Sequence, residues 1–186
     1  MRPDRNVASI AVDVVLLSAM AAVAAVAFWP VYRDPWYVVV AVGAVVSATA
    51  VALLGARFRW PSFAVLLVAF AVFLLVGVPL AVPGRAIAGV LPSWEGILDL
   101  LSGVAYGWKQ LLTITLPVGD YQALLVPAYL LLFAAALTSV TIAARARFPE
   151  LAVIPHVVAF LIAIAFGPDE VPWPAPLAIA MLVIVL

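Results

Sequence analysis

Long apolar stretches, separated by short loops that hold almost all of the charges, dominate the hydropathy pattern of the chain. A helix needs about 20 residues, at about 1.5 Å each, to cross the ~30 Å hydrocarbon layer of a bilayer. The pattern therefore predicts an all-α, polytopic helical membrane protein with five complete spans and a truncated sixth. The predicted spans cover residues 7–29, 36–55, 62–82, 121–144, 151–166 and 177–186.

Composition agrees with lipid as the main solvent. Hydrophobic residues make up 68% of the chain and charged residues 10%, against about 45–50% and about 25% in soluble domains. The sixth stretch stops at Leu186 before it completes a span. We therefore expect residues 1–186 to form one N-terminal transmembrane domain at the front of a longer polypeptide.

The absence of whole residue types excludes several kinds of chemistry. The chain has no cysteine and one histidine, which excludes disulfides, thiolate or multi-histidine metal sites and a cysteine nucleophile. A net charge of zero argues against nucleic acid as a partner. We therefore predict no catalytic, metal or cofactor-binding residues within this stretch.

The basic residues fall on alternate sides of the predicted spans. The N-terminal segment and the second and fourth loops are basic, with Arg2, Arg5, Arg57, Arg59, Arg145 and Arg147 against Asp4 and Glu150. The other three loops are acidic, with Arg33, Arg85 and Lys109 against Asp34, Glu95, Asp99, Asp120, Asp169 and Glu170. Since cytoplasmic loops carry the excess of arginine and lysine, the N-terminus is predicted to be cytoplasmic and the segment 83–120 extracytoplasmic.

The first predicted span can also be interpreted as a signal peptide. Arg2 and Arg5 form a basic start, and residues 25–27 (AVA) fit a small-residue cleavage pattern. The apolar run exceeds the usual length of a signal peptide and lacks a polar segment before the cleavage pattern. A retained helix is the interpretation that we adopt.

The segment 93–112, between the third and fourth spans, is strongly amphipathic. Its apolar face holds Trp94, Ile97, Leu98, Leu101, Val104, Ala105, Trp108 and Leu111, and its polar face holds Glu95, Asp99, Ser102, Tyr106 and Lys109. Ser93 is predicted to cap the helix N-terminus, with Glu95 favourably placed in the first turn. A helix of this kind lies flat with its tryptophans at headgroup depth.

The candidate docking or interfacial residues of this extracytoplasmic helix are Trp94, Trp108, Lys109 and Gln110. They predict a contact with the bilayer surface or with a protein partner. The alternative is a lid that only covers the bundle.

Two ionisable residues within predicted spans, Asp13 and His156, are candidate intramembrane polar sites. A charge at mid-membrane costs about 2.5–3.5 kcal/mol on insertion scales and is often functional. Arg2 and Arg5 can offset the cost of a negative charge on Asp13. No second intramembrane acid or base is predicted at the depth of His156. Structural roles are therefore favoured for both.

Prolines and hydroxyl groups within the spans predict local irregularity. Pro79, Pro127 and Pro155 are expected to kink their helices. The hydroxyl groups of Thr138, Ser139 and Thr141 are expected to bond back to the backbone or to pack helices together.

Residues 91–167 resemble the membrane domain of bacterial transglutaminase-like proteins of the TgpA type, as found in actinobacteria. The segments that carry the resemblance are 107–112 (GWKQLL), 116–119 (LPVG), 121–127 (YQALLVP), 144–147 (ARAR) and 150–153 (ELAV). The first 90 residues match only in hydropathy. The resemblance implies a multi-helix anchor in the bacterial plasma membrane, followed by an extracytoplasmic papain-like domain with a Cys–His–Asp arrangement.

This resemblance predicts that the chain is the membrane anchor of an enzyme whose catalytic domain would follow Leu186. A transporter or channel subunit is one alternative, and it requires Asp13 and His156 to face a hydrated cavity. A non-enzymatic scaffold for cell-envelope machinery is another, with the extracytoplasmic helix binding a protein partner.

Overall fold

The computed structural model describes residues 7–113, 123–167 and 174–185, and this part of the chain is mostly helical. The α-helices are α1 (Val7–Tyr32), α2 (Pro35–Arg57), α3 (Ser62–Ala81), α4 (Trp94–Thr113), α5 (Val126–Arg145), α6 (Ile154–Ala165) and α7 (Pro174–Val185). Short 3₁₀ helices occupy Pro83–Arg85 and Pro149–Val153. The two-residue strands β1 (Ala86–Ile87) and β2 (Leu91–Pro92) pair antiparallel, a hairpin that the hydropathy pattern does not predict.

Four helices are long and apolar enough to cross a membrane, namely Ser9–Tyr32, Pro35–Arg57, Ser62–Ala81 and Val126–Arg145. They correspond to the first four predicted spans. The fifth and sixth predicted spans are shorter apolar helical segments, Pro149–Ala165 and Ala175–Ile184. The first of these begins as a 3₁₀ turn and continues as α6.

Helices α2 and α5 form the centre of the bundle. In α5, 61% of the most apolar segment is buried, against 28–39% in the other three long helices. The buried surface of both helices is rich in alanine: Ala41, Ala44, Ala48 and Ala52 in α2, and Ala128, Ala135, Ala136 and Ala143 in α5. Small side chains let helix backbones approach closely and gain dispersion contacts along their length.

Three helix boundaries differ from the predicted ones at prolines. Helix α1 continues through Pro30 to Tyr32, beyond the predicted end of the span. Pro127 and Pro155 lie in the first turns of α5 and α6, where a missing N–H breaks no helical hydrogen bond. The predicted kink at Pro127 is therefore wrong, because α5 begins beside it, whereas Pro155 lies where the 3₁₀ turn changes to α6. Pro79 does lie inside α3.

Several predicted features lie outside the described residues. They are the N-terminal Arg2 and Arg5, the residues 121–122 at the predicted start of the fourth span, the turn 116–120, and residues 168–173 of the proline-rich turn.

The charged loops sort to two ends of the bundle. At one end, Nη1 of Arg145 donates a hydrogen bond of 2.7 Å to the carbonyl oxygen of Trp60, which joins the end of α5 to the loop after α2. We call this the arginine end, after Arg57, Arg59, Arg145 and Arg147.

Long-range hydrogen bonds also hold the opposite end together. The Tyr32 hydroxyl donates to the Leu124 carbonyl at 3.1 Å, and Nε1 of Trp36 donates to the Leu80 carbonyl at 2.9 Å. We call this the α4 end. The second and fourth loops thus lie at one end, and the first and third at the other, as the alternation of charge requires.

A stripe of glycines attaches α4 to the bundle. The buried residues of α4 are Gly96, Leu100, Gly103, Gly107 and Leu111, which recur at helical spacing on one face. A Cβ atom on Gly103 would lie 2.9 Å from the Cβ of Val126, and one on Gly107 would lie 2.9 Å from the Cγ of Pro127. Glycine is therefore needed for the approach of α4 to the first turn of α5.

The start of α4 is capped as predicted. The Gly96 N–H donates to Oγ of Ser93 at 2.9 Å, and Glu95 lies in the first turn. Arg85 ties the preceding 3₁₀ turn to the same region of α4, with Nη1 at 2.8 Å from Glu95 and Nε at 2.9 Å from Asp99.

We expect Gly103→Leu to destabilise the protein, because the added side chain overlaps Val126. Overpacking of this kind costs about 1–3 kcal/mol of the free energy of unfolding. Ser102→Leu is the matched control, since Ser102 is the adjacent residue of the same helix and is exposed. Substitutions at exposed positions usually change the free energy of unfolding by less than about 0.5 kcal/mol. Thermal unfolding of the detergent-solubilised chain measures both, and equal melting temperatures would contradict the glycine contact.

Candidate functional site

A polar cleft lies at the α4 end, between α4, the 3₁₀ turn Pro83–Arg85 and the turn that precedes α5. Its volume is about 640 Å³, within the range of small-ligand sites. The lining residues are Val82, Pro83, Gly84, Arg85, Asp99, Ser102, Gly103, Tyr106, Gln110 and Ala123. For polar recognition the lining offers the guanidinium of Arg85, the carboxylate of Asp99, two hydroxyl groups and the amide of Gln110.

Arg85 organises the charge at the edge of the cleft. Its guanidinium bonds Glu95 and Asp99 together, which leaves a local excess of one negative charge. All three side chains are substantially exposed to solvent, so each ion pair contributes little more than about 0–1 kcal/mol to stability. The bonds hold the orientation of the 3₁₀ turn against α4.

The four candidate residues of α4 do not form one site. Trp94 and Trp108 are 14 positions apart in sequence, or about 20 Å along a helix. The Trp94 side chain is 73% exposed, whereas Trp108 is half-buried and packs edge-on against Phe166, with ring centroids 5.5 Å apart. Lys109 and Gln110 are exposed beside Trp108, and Gln110 lines the polar cleft.

The face of α4 turned away from the glycine stripe is not covered by any other described residue. Trp94, Leu98, Leu101, Ala105 and Leu112 are exposed there, and we call them the exposed stripe. The apolar face predicted from the sequence is therefore only partly exposed. Leu111 is buried against the bundle, and Ile97, Val104 and Trp108 are half-buried. The exposed stripe can meet a headgroup layer or a protein.

The sequence reasoning missed the glycine stripe and the role of Arg85. Gly96, Gly103 and Gly107 are spaced by seven and four residues, which is a one-face pattern that could have been found by helical periodicity. Arg85 gave no such signal, because its partners lie on a separate element.

Asp13 and His156 lie in different surroundings. Asp13 lines a cavity of about 350 Å³ near the 3₁₀ turn Pro149–Val153, and Glu150 lines the same cavity. His156 is buried, and its Nδ1 lies 2.8 Å from Oγ of Ser139 on α5. The structure therefore does not bring the two candidate intramembrane residues into one cavity.

The contact between Ser139 and His156 joins α5 to α6, which is the second of the two roles expected for these hydroxyl groups. Thr138 does bond back, with Oγ1 2.7 Å from the Ala134 carbonyl oxygen. Oγ1 of Thr141 is buried and has no hydrogen-bond partner. One of the three hydroxyl groups, that of Ser139, thus bonds to a residue of α6. The residue types alone do not indicate which hydroxyl group has such a partner.

Neither the polar cleft nor the Asp13 cavity has the donor set of a metal centre. Within the described residues, no group of three or more histidine, cysteine or carboxylate side chains could hold a metal ion.

No protein-family model, curated protein sequence or solved structure matches the chain. The fold and the two cavities are therefore interpreted from their geometry alone.

We expect Ser139→Ala to destabilise the bundle, since it leaves the buried Nδ1 of His156 without a partner. A buried polar group that loses its hydrogen bond costs about 1–3 kcal/mol. Thr138→Ala is the matched control, because Thr138 is exposed and bonds only within its own helix. A double-mutant cycle with His156→Phe, measured by thermal unfolding, should give a coupling of about 0.5–3 kcal/mol, and additive effects would contradict the pairing.

Proposed function

We propose that the chain is the membrane anchor domain of a transglutaminase-like protein and that it holds a papain-like catalytic domain at the outer face. In this proposal, residues 1–186 supply five complete spans and the start of a sixth to a bacterial plasma membrane. The N-terminus is cytoplasmic, and α4 is the extracytoplasmic helix against which the catalytic domain rests.

The observation that carries the proposal is the attachment of α4. One face is held against α3 and α5 through the glycine stripe, and the opposite face presents Trp94, Leu98 and Leu101 to the surroundings. A helix fixed in this way can position a partner relative to the membrane. The distribution of charge between the loops supports an extracytoplasmic location for it.

The segment 107–112 (GWKQLL), which is central to the resemblance, divides into two structural roles. Gly107 contacts Pro127, and Trp108 contacts Phe166. Lys109 and Gln110 are exposed, and Gln110 lines the polar cleft. A segment that both attaches a helix and exposes polar groups supports a platform role better than a purely hydrophobic span does.

Two other functions have some support. The cavity that Asp13 and Glu150 share favours a transporter or channel subunit, although His156 does not line this cavity. The exposed stripe equally suits a non-enzymatic scaffold whose partner is a separate cell-envelope protein.

A photo-crosslinking amino acid at position 94 of the full-length protein distinguishes these functions. We expect irradiation of membranes to link position 94 to the catalytic domain of the same polypeptide, identified by mass spectrometry of the crosslinked peptides. Position 63 is the matched control, because Phe63 is 75% exposed but lies at the start of α3, at the arginine end.

Crosslinks from position 94 to a different envelope protein alone would support the scaffold instead. A failure to crosslink any protein at position 94, with lipid adducts only, would contradict the platform role.

A further inference from the structure

A second polar cavity lies at the arginine end, remote from α4. Its volume is about 400 Å³, and it is lined by Ala56, Arg59, Trp60 and Arg145. The cavity brings together the loop after α2 and the last turn of α5. Neither the anchor proposal nor the sequence analysis assigns it a role.

Arg145 is placed beside this cavity by the protein itself. Its Nη1 donates to the Trp60 carbonyl oxygen at 2.7 Å, while its Nη2 is buried and has no hydrogen-bond partner in the part of the chain that the structure describes. A Cβ atom on Gly55 would lie 3.0 Å from Nη2, so a glycine at this position makes room for the guanidinium. The protein thus positions the group but leaves part of its donor capacity unused.

The charge around the cavity is uncompensated. Arg57, Arg59 and Arg145 have no carboxylate partner among the described residues. Arg59 adopts a left-handed backbone conformation, with φ of 54°. The neighbouring Trp60 N–H donates to the Gly55 carbonyl at 2.9 Å, which closes the turn that carries Arg59. Arg59 and Arg145, which line the cavity, therefore have no acidic counter-charge among the described residues.

The surroundings of the cavity are apolar. Trp60, which lines the cavity, stacks with Phe58 at a ring-centroid distance of 6.1 Å, and aromatic residues are enriched at the level of lipid headgroups. Leu54 on α2 and Leu66 on α3 expose their side chains along the adjoining helices. The two helices that the loop of Arg59 connects thus both carry exposed apolar side chains.

We propose that this cavity binds the phosphodiester headgroup of an anionic phospholipid. Arg145 and Arg59 contact the phosphate oxygens, since the planar guanidinium fork matches phosphate geometry. The acyl chains lie along the exposed leucines of α2 and α3. Basic pockets between membrane helices are a recognised means of headgroup binding, and this proposal does not depend on the enzyme domain.

Native mass spectrometry of the full chain, with phosphatidylglycerol or phosphatidylcholine added in detergent, tests the proposal. We expect phosphatidylglycerol to bind at least about tenfold more tightly than phosphatidylcholine. Arg145→Gln and Arg59→Gln should each remove most of that preference. Arg57→Gln is the matched control, because it removes the same charge from the same end of the bundle without lining the cavity, and it should change binding by less than about threefold.

Arg59→Gln keeps the test valid if Arg145→Gln fails to fold, because the Arg59 side chain is exposed. Equal losses in all three variants would show a diffuse charge effect and overturn the site. Glycerol 1-phosphate serves as the soluble probe. If it displaced phosphatidylglycerol at equal concentration, the ligand would be a free phosphate ester and the lipid proposal would be wrong.

Discussion

Helices as apolar as these gain little from burying hydrophobic surface against one another when lipid is the alternative solvent, because lipid chains are as apolar as leucine. Close backbone approach and the dispersion contacts that come with it must then hold the bundle together. The alanine-rich surfaces of α2 and α5 meet this constraint at the centre. Gly103 and Gly107 meet it at the edge, where α4 joins α5.

Polar groups complete the ends of this bundle. Tyr32 and Trp36 bond to backbone carbonyl oxygens of other helices at the α4 end, and Arg145 does the same at the arginine end. Each bond satisfies a polar side chain and fixes the relative position of two loops. The two candidate sites, the polar cleft beside α4 and the cavity beside Arg145, both depend on loops positioned in this way.

The helices were largely predictable, because a run of apolar residues bounded by charged loops admits few other structures. The cap at Ser93 also followed from local sequence, and the structure confirms it. Pro30 and Pro127 were misjudged, because the sequence does not show that α1 continues past Pro30 or that α5 begins just before Pro127. The start of α5 at Val126 moves Pro127 into the tolerated position.

Contacts between distant residues were the part that sequence could not predict. The partner of His156 lies 17 residues away on α5, and the carbonyl that accepts from Arg145 lies 85 residues away. Residue type suggests that such groups need partners, but only the packing of helices selects them. The candidate residues Trp94 and Trp108 illustrate the same point, because one is exposed and the other packs on Phe166.

The proposal on which the others depend is that the α4 end of the bundle faces the outside of the cell and the arginine end faces the cytoplasm. Residues 1–186 contain no cysteine, and Ser102 and Arg57 are exposed at opposite ends, so single cysteines there report sidedness. A membrane-impermeant maleimide applied to intact cells should label Ser102→Cys and should label Arg57→Cys only after permeabilisation. Labelling of Arg57→Cys alone in intact cells would contradict the account.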